Sequence, residues 1–423
     1  MYKKILSSAT ILSILLAYSI KAEVIHSTWV GGSEGSWEDI WNWEPNEVPH
    51  NIEGLKSYNV TISVYGIDVG LGQSHTIDAL TCSGRVNLGG TGWLCILSGL
   101  WNFGHLSIDQ VDVRGNVSNF SGAELELGEI DIKGSLYNGT GGTIIVYLHA
   151  VDVWGAEIQN GGTIFAFDGS LGETETFHNS GKIEMFDGGC DGHTIYNTGI
   201  IEGYGEVVGE QQINNTGIIK AAKGDLRLFG NIVDSNSSLI NTGTLKNDVG
   251  TTLHISLVAD VNNNGTIDIN ADGSVAFDCN LVNEPNATIK LSNGTLAATT
   301  ITQKADANFA GFGGITGNVV IDPNALIKLT GPTNIVGDVN IEPSATLQIS
   351  DGLTLVTGQT VCNGTIHMKG GYIIPQGGLS GNCNIIWEPG IYTNAADFNL
   401  DGQVNLEDFA YLADVWLWQT SWR

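Results

Sequence analysis

The chain has 423 residues and a formal net charge of −28, from 17 Lys and Arg against 45 Asp and Glu. That balance argues against nucleic acid or an anionic membrane as the main partner, because neutralising phosphates takes clustered basic side chains. With 42% hydrophobic residues, 57 glycines and only 15% charged residues, the chain is neither a disordered acidic tail nor a helix-rich enzyme, and its composition favours strands joined by tight turns around a buried core.

Lys3 and Lys4 precede an apolar run from Ile5 to Ile20, and Ala22 offers a small residue ahead of Glu23. Basic, apolar and small residues in this order predict a secretory signal peptide over residues 1–22. The run is short for a membrane span of roughly 20 residues, and no later stretch is apolar enough to cross a bilayer. A secreted or cell-surface protein without a membrane span is expected, more acidic still once three lysines leave with the leader. Export permits disulfides, but Cys82, Cys95, Cys190, Cys279, Cys362 and Cys383 are sparse and form no C-x-x-C pair. A zinc site is not expected, and most of these side chains read as small buried hydrophobes.

Residues 23–54 form the next predicted segment, where Trp29, Trp37, Trp41 and Trp43 fall between Thr28 and Pro49. Aromatic faces suit sugar rings, so a stacking platform is one reading. The reading adopted is a cap over the open strand edge and apolar bore of a first repeat unit, which solenoids need against end-to-end association.

From residue 55 to 390 the chain repeats. The phrase N-x-G-x-[I/L] begins at Asn160, Asn179, Asn197, Asn215, Asn241 and Asn263, and Gly122 and Gly142 continue the period upstream. Glu284-Pro285-Asn286-Ala287, Asp322-Pro323-Asn324-Ala325 and Glu342-Pro343-Ser344-Ala345 carry it downstream, followed by Cys362-Asn363-Gly364. Short alternating stretches such as Thr346–Ile349 lie between these phrases and predict strands with one face inward. Gly and Asn tolerate left-handed backbone best, so each N-x-G predicts a sharp corner. A unit of roughly twenty residues cannot bury its apolar face alone, whereas stacked units share one core and pair rung to rung. The expectation is an all-β fold, a right-handed parallel β-helix (solenoid), with corner Asn amides stacked in a ladder and Ile183, Ile201 and Ile219 in one internal row. A propeller blade needs roughly 40–50 residues, and a sandwich has no reason for this period. Cys362 and Cys383 stand about one rung apart, within disulfide reach, although two buried unpaired thiols are the expectation adopted.

The pattern W-x-G-G…W…N-W-x-P…V-P, together with the Asn-Gly repeats that follow, resembles bacterial autotransporter-like β-helical surface proteins. The resemblance implies architecture and says almost nothing of activity.

Residues 391–423 carry the strongest chemical motif. Asp397, Asn399, Asp401, Gly402, Gln403 and Asp408 fit positions of a calcium loop, in which hard oxygens surround the ion: three side chains, the Gln403 carbonyl and the closing Asp408 carboxylate. Leu406, Phe409, Leu412, Ala413 and Trp416 then fall on one face of a predicted short helix. This EF-hand-like loop and helix resembles half of a type I dockerin, which implies bound calcium and a cohesin-like receptor. The family ordinarily has two copies and a small-hydroxyl pair where this chain has one copy and Leu406-Glu407. Asp260 to Asp268 mimics the first part of such a loop, but Ala271 stands where the closing acid belongs, so it is expected to be a rung.

Catalysis is not the leading expectation. Arg85, Arg114, Arg227 and Arg423 are the only arginines, and none stands in an evident acidic constellation. Asp187 to His193 reads as a polar inserted loop, and neither G-x-S-x-G nor H-E-x-x-H occurs. The sequence thus predicts an exported, acidic β-helical structural or adhesion protein, with a polysaccharide or surface-protein partner and a C-terminal calcium module. The alternative is a polysaccharide-degrading β-helix tethered through that module.

Overall fold

The computed structural model describes residues 22–53, 55–147, 151–154, 157–230 and 237–388. These fold as an all-β parallel β-solenoid, with the 3-10 turn Ile40–Asn42 as the helical element among the described residues. The chain divides into two compact units, Met1–Ile201 and Glu202–Arg423.

In the first unit each short strand pairs in parallel with the strand one turn further on. Ile67, Val86, Leu106, Leu125, Ile144, Ile164 and Ile183 follow one another in register as an inward row. Each is at most 2% exposed, and full burial of such a side chain contributes about 1.5–3 kcal/mol. Ile201 is buried as well. Beside this row runs a column of buried amides. Asn102 donates to Asn119, Asn119 to Asn138, Asn138 to Asn160, Asn160 to Asn179 and Asn179 to Asn197, at 2.7–2.9 Å. Nδ2 also donates to a backbone carbonyl of a following rung, as from Asn119 to Thr143 at 2.9 Å. Polar groups with no access to water are thereby satisfied.

The second unit repeats the scheme. Ile219, Leu245, Ile267, Ile289, Phe309, Ile327, Leu347 and Ile366 form its inward row. Asn215, Asn241, Asn263 and Asn283 donate in turn, and Gln303 accepts the last bond. Asn263 is thus a rung residue inside the calcium-loop mimic, whose flanking strands are Val261–Asn263 and Thr266–Ile269.

Three expectations need correction. The N-x-G glycines are not required for left-handed backbone: a Cβ on Gly181 would lie 2.0 Å from the carbonyl oxygen of Gly162, and one on Gly199 2.0 Å from that of Gly181. Glycine there permits rung-to-rung approach. Left-handed backbone occurs instead at Gly122 upstream (φ 76°) and in the later phrases at Asn286, Asn324 and Ser344 (φ 64–69°). Asp187 to His193 is no inserted loop, since it runs within the strand Lys182–Asn197 with Cys190 buried. Cys362 and Cys383 are not unpaired thiols but a disulfide joining successive rungs, Cα–Cα 4.9 Å. Cys82, Cys190 and Cys279 are free and buried, and Cys95 is half-buried.

At the N-terminal side, Glu23–Trp29 pairs in parallel with Lys56–Ile62 and antiparallel with Trp43–Glu44. Trp29, Trp37 and Trp43 are at most 1% exposed and pack edge to face, with centroids 5.0 and 4.6 Å apart. Trp37 Nε1 donates to the Pro49 carbonyl at 3.1 Å and Trp43 Nε1 to that of Trp37 at 2.8 Å. Buried rings of this kind offer no face to a sugar, and only Trp41 of the four is open to solvent.

Candidate functional site

The predicted metal ligands Asp397, Asn399, Asp401, Gln403 and Asp408 lie outside the described residues, as does the predicted leader except for Ala22. Among the described residues, chemically active side chains gather on the outer strand face of the first unit.

Strands Tyr65–Leu71, Arg85–Gly90, His105–Val113 and Glu124–Ile132 stack in parallel. Their alternate residues, Ile67, Val86, Leu106 and Leu125 among them, are committed to the core, so the intervening residues must face outward. Register places Tyr65, Arg85, His105 and Glu124 in one outward column, and Asp68, Asn87, Ser107 and Glu126 in the next. All of these but Glu124 line an open cleft of about 380 Å³.

His105 sits between the two glutamates, with Nδ1 3.2 Å from Glu124 Oε1 and Nε2 3.7 Å from Glu126 Oε1. One ligand atom from each of the three falls within 4.8 Å of the others, which is close enough for a divalent cation to be held by one nitrogen and two oxygens. Burial, with the negative charge of Glu126 and Glu124, raises the pKa of the Tyr147 phenol above its usual range. The cleft thus joins an exposed aromatic ring, a guanidinium, an imidazole and two carboxylates, with the Glu124 carboxylate beside His105, all groups that hydrogen-bond or ion-pair with polar ligands.

A second hollow of about 430 Å³ lies between Tyr137, Thr140, Glu157, Gln159, His178 and Ser180. His178 Nε2 approaches Glu157 Oε1 at 3.3 Å, and its ring stacks on Tyr196 at 4.9 Å and 9°. Other aromatic rings stack from rung to rung at the exterior: Phe103 on Phe120 at 4.2 Å, and Tyr147 on Phe167 at 5.5 Å.

Sequence reasoning missed His105, Glu124 and Glu126, and it set Arg85 apart from any acidic constellation. The signal was present as period: Tyr65, Arg85 and His105 are each twenty residues apart, with Glu124 one rung further. Arg114 and Arg227 have acidic neighbours too, Asp112 at 3.7 Å and Glu206 at 4.0 Å, but both are well exposed.

No family model, no curated protein and no solved structure matches the chain. Among the described residues no helix is long and apolar enough to cross a membrane.

Proposed function

We propose that this is an exported, acidic β-solenoid surface protein with a structural or adhesive role, which binds a polysaccharide along the outer strand face of its first unit. The observation that carries the reading is the cleft of Tyr65, Asp68, Arg85, Asn87, His105 and Glu126. Sugars are recognised by aromatic faces combined with planar polar side chains, and this cleft holds both without an apolar pocket for a drug-like molecule. Arg85 directs the choice toward acidic sugars, whose carboxylates pair with a guanidinium in bidentate fashion. Affinity electrophoresis against a panel of neutral and uronate-containing polysaccharides tests it: retardation that Tyr65→Ala and Arg85→Ala both weaken is expected. Unchanged retardation in both variants would remove the cleft from the reading.

The second reading, polymer degradation, is favoured by His105 between Glu124 and Glu126. Imidazole and carboxyl groups at this spacing can exchange protons with a glycosidic oxygen or a sugar carbon. Reducing ends or unsaturated uronate released by the wild type, and lost in Glu126→Gln, would establish it.

The same proposal assigns Asp397, Asn399, Asp401, Gln403 and Asp408 to calcium, in a module that tethers the solenoid to a cohesin-like receptor. The support is the oxygen-rich donor set and its spacing. Calorimetric titration of the full chain should give one calcium site that Asp401→Ala abolishes. Unaltered calcium uptake by that variant would be incompatible with the assignment.

A further inference from the structure

In the unit Glu202–Arg423 the last described strand, Asn384–Glu388, pairs in parallel with Thr365–Lys369, and no further strand follows it among the described residues. Its register continues the inward apolar row: after Ile327, Leu347 and Ile366, each 1% exposed, comes Ile385 at 50%. Trp387 follows Ile349 and Met368 in a second row and is 62% exposed. Leu379 follows Val339 and Thr360 in a third and is 43% exposed. Three side chains that the repeat aims inward are therefore open to water, beside an unpaired strand edge. Such an end is a site of association unless something covers it.

The chain leaves this end at Glu388, and residues 389–423 continue directly from it. Leu406, Phe409, Leu412, Ala413 and Trp416 recur there at the three- and four-residue spacings of one helical face. Residues 389–405 can reach about 55 Å when extended, so the tether does not limit docking. A tethered segment acts at an effective concentration on the order of millimolar, which favours it over a second copy of the chain in dilute solution. We propose that the apolar face carried by Leu406, Phe409, Leu412 and Trp416 docks on Leu379, Ile385 and Trp387 and closes this end of the unit. The inference does not depend on what the cleft of the first unit binds.

Hydroxyl-radical footprinting of the full chain reads the coverage directly through oxidation of Trp387. The doubly substituted chain Phe409→Asp/Leu412→Asp should oxidise Trp387 several-fold faster than the wild type and should self-associate in sedimentation velocity. The conservative pair Phe409→Leu/Leu412→Met should keep the wild-type rate, with the far-UV signal of the solenoid constant in all three. Equal oxidation rates in the wild type and the Asp variant would overturn the proposal: fast in both means an open end, and slow in both means another cover. Protection in the wild type that disappears on dilution, together with a sedimenting dimer, would also overturn it, since a second copy would then be the occupant.

Discussion

Asn283 donates its side-chain amide to Gln303 Oε1 at 2.9 Å, and with that bond the polar column of the second unit stops. Gln303 Nε2 donates instead to the carbonyl of Ala307 at 2.7 Å, and the next positions in register are Ile321, Ile341 and Cys362. The column thus changes from amide to hydrocarbon without leaving a buried donor idle, and the Cys362–Cys383 disulfide closes it.

Removing a middle member of the amide column should cost more than removing an end. Asn160→Ala deprives Asn138 of its acceptor and Asn179 of its donor, both fully buried. A loss of about 1–3 kcal/mol per stranded polar group is expected in denaturant unfolding. Asn262→Ala, which removes an exposed neighbour of the column, should stay within about 0.5 kcal/mol of wild type.

Gly181→Ala tests whether rung approach, rather than corner conformation, explains the repeated glycine. The new methyl meets the Gly162 carbonyl oxygen at 2.0 Å and the Gly161 and Gly162 carbonyl carbons at 2.8 and 2.9 Å, rigid backbone that cannot swing aside. Destabilisation of about 1–3 kcal/mol or more is expected. Gly250→Ala, with nothing within 4 Å of its Cβ, isolates the separate cost of its φ of 74°.

Acid should loosen the N-terminal segment first. Burial raises the Glu38 carboxyl, but hydrogen bonds from Ser36, His75 and backbone amides outweigh it and hold the pKa at about 2. Burial depresses the His75 pKa against the pull of Glu38. Both folded-state values lie below the unfolded ones, so both contributions are present at neutral pH. The His75 contribution is lost as pH falls below the usual imidazole range, and the Glu38 contribution as pH falls from the usual carboxylate range toward about 2. Glu38 Oε1 accepts from the amides of Gly72 and Gln73 at 2.8 and 2.9 Å, so hydrogen exchange at those two sites against pH is the readout. Flat exchange protection from neutral pH to pH about 3 would contradict the linkage.

Replacing both Cys362 and Cys383 by Ser should destabilise the last rung by about 3 kcal/mol, the loop-closure entropy for a separation of 21 residues. Protease cutting after Lys369 should accelerate in the double variant, while the first unit keeps its exchange protection.

Much of this fold was legible in the sequence, because a solenoid repeats its physics. The N-x-G period located the rungs, and alternation around Ile183 or Leu347 located the inward faces. What the glycines do was not legible, since backbone carbonyls of the preceding rung exist only after stacking. The strand through Asp187 and Cys190 was hidden because polar outward residues and glycines look like loop. The cleft was hidden for a related reason: Asn102-Phe103-Gly104-His105-Leu106 carries the Asn phrase, but the next rung, Asn119-Phe120-Ser121-Gly122-Ala123-Glu124, has a longer corner and does not, so no shared motif ties His105 to Glu124. Only the period does, and it says nothing of side-chain distances. Pairing of Cys362 with Cys383 needed the register of the last two rungs as well.

Asn179 and Asn197 stand 18 residues apart and share a bond of 2.7 Å; Asn215 and Asn241 stand 26 apart and share one of 2.8 Å. Contour length and axial advance are therefore independent variables in each unit. The pitch is fixed by amides and carbonyls at a few inward points, while the path between those points can lengthen outward at a small entropic cost. A gene drifting by short insertions at such corners would widen this protein without shifting the register of any strand above or below.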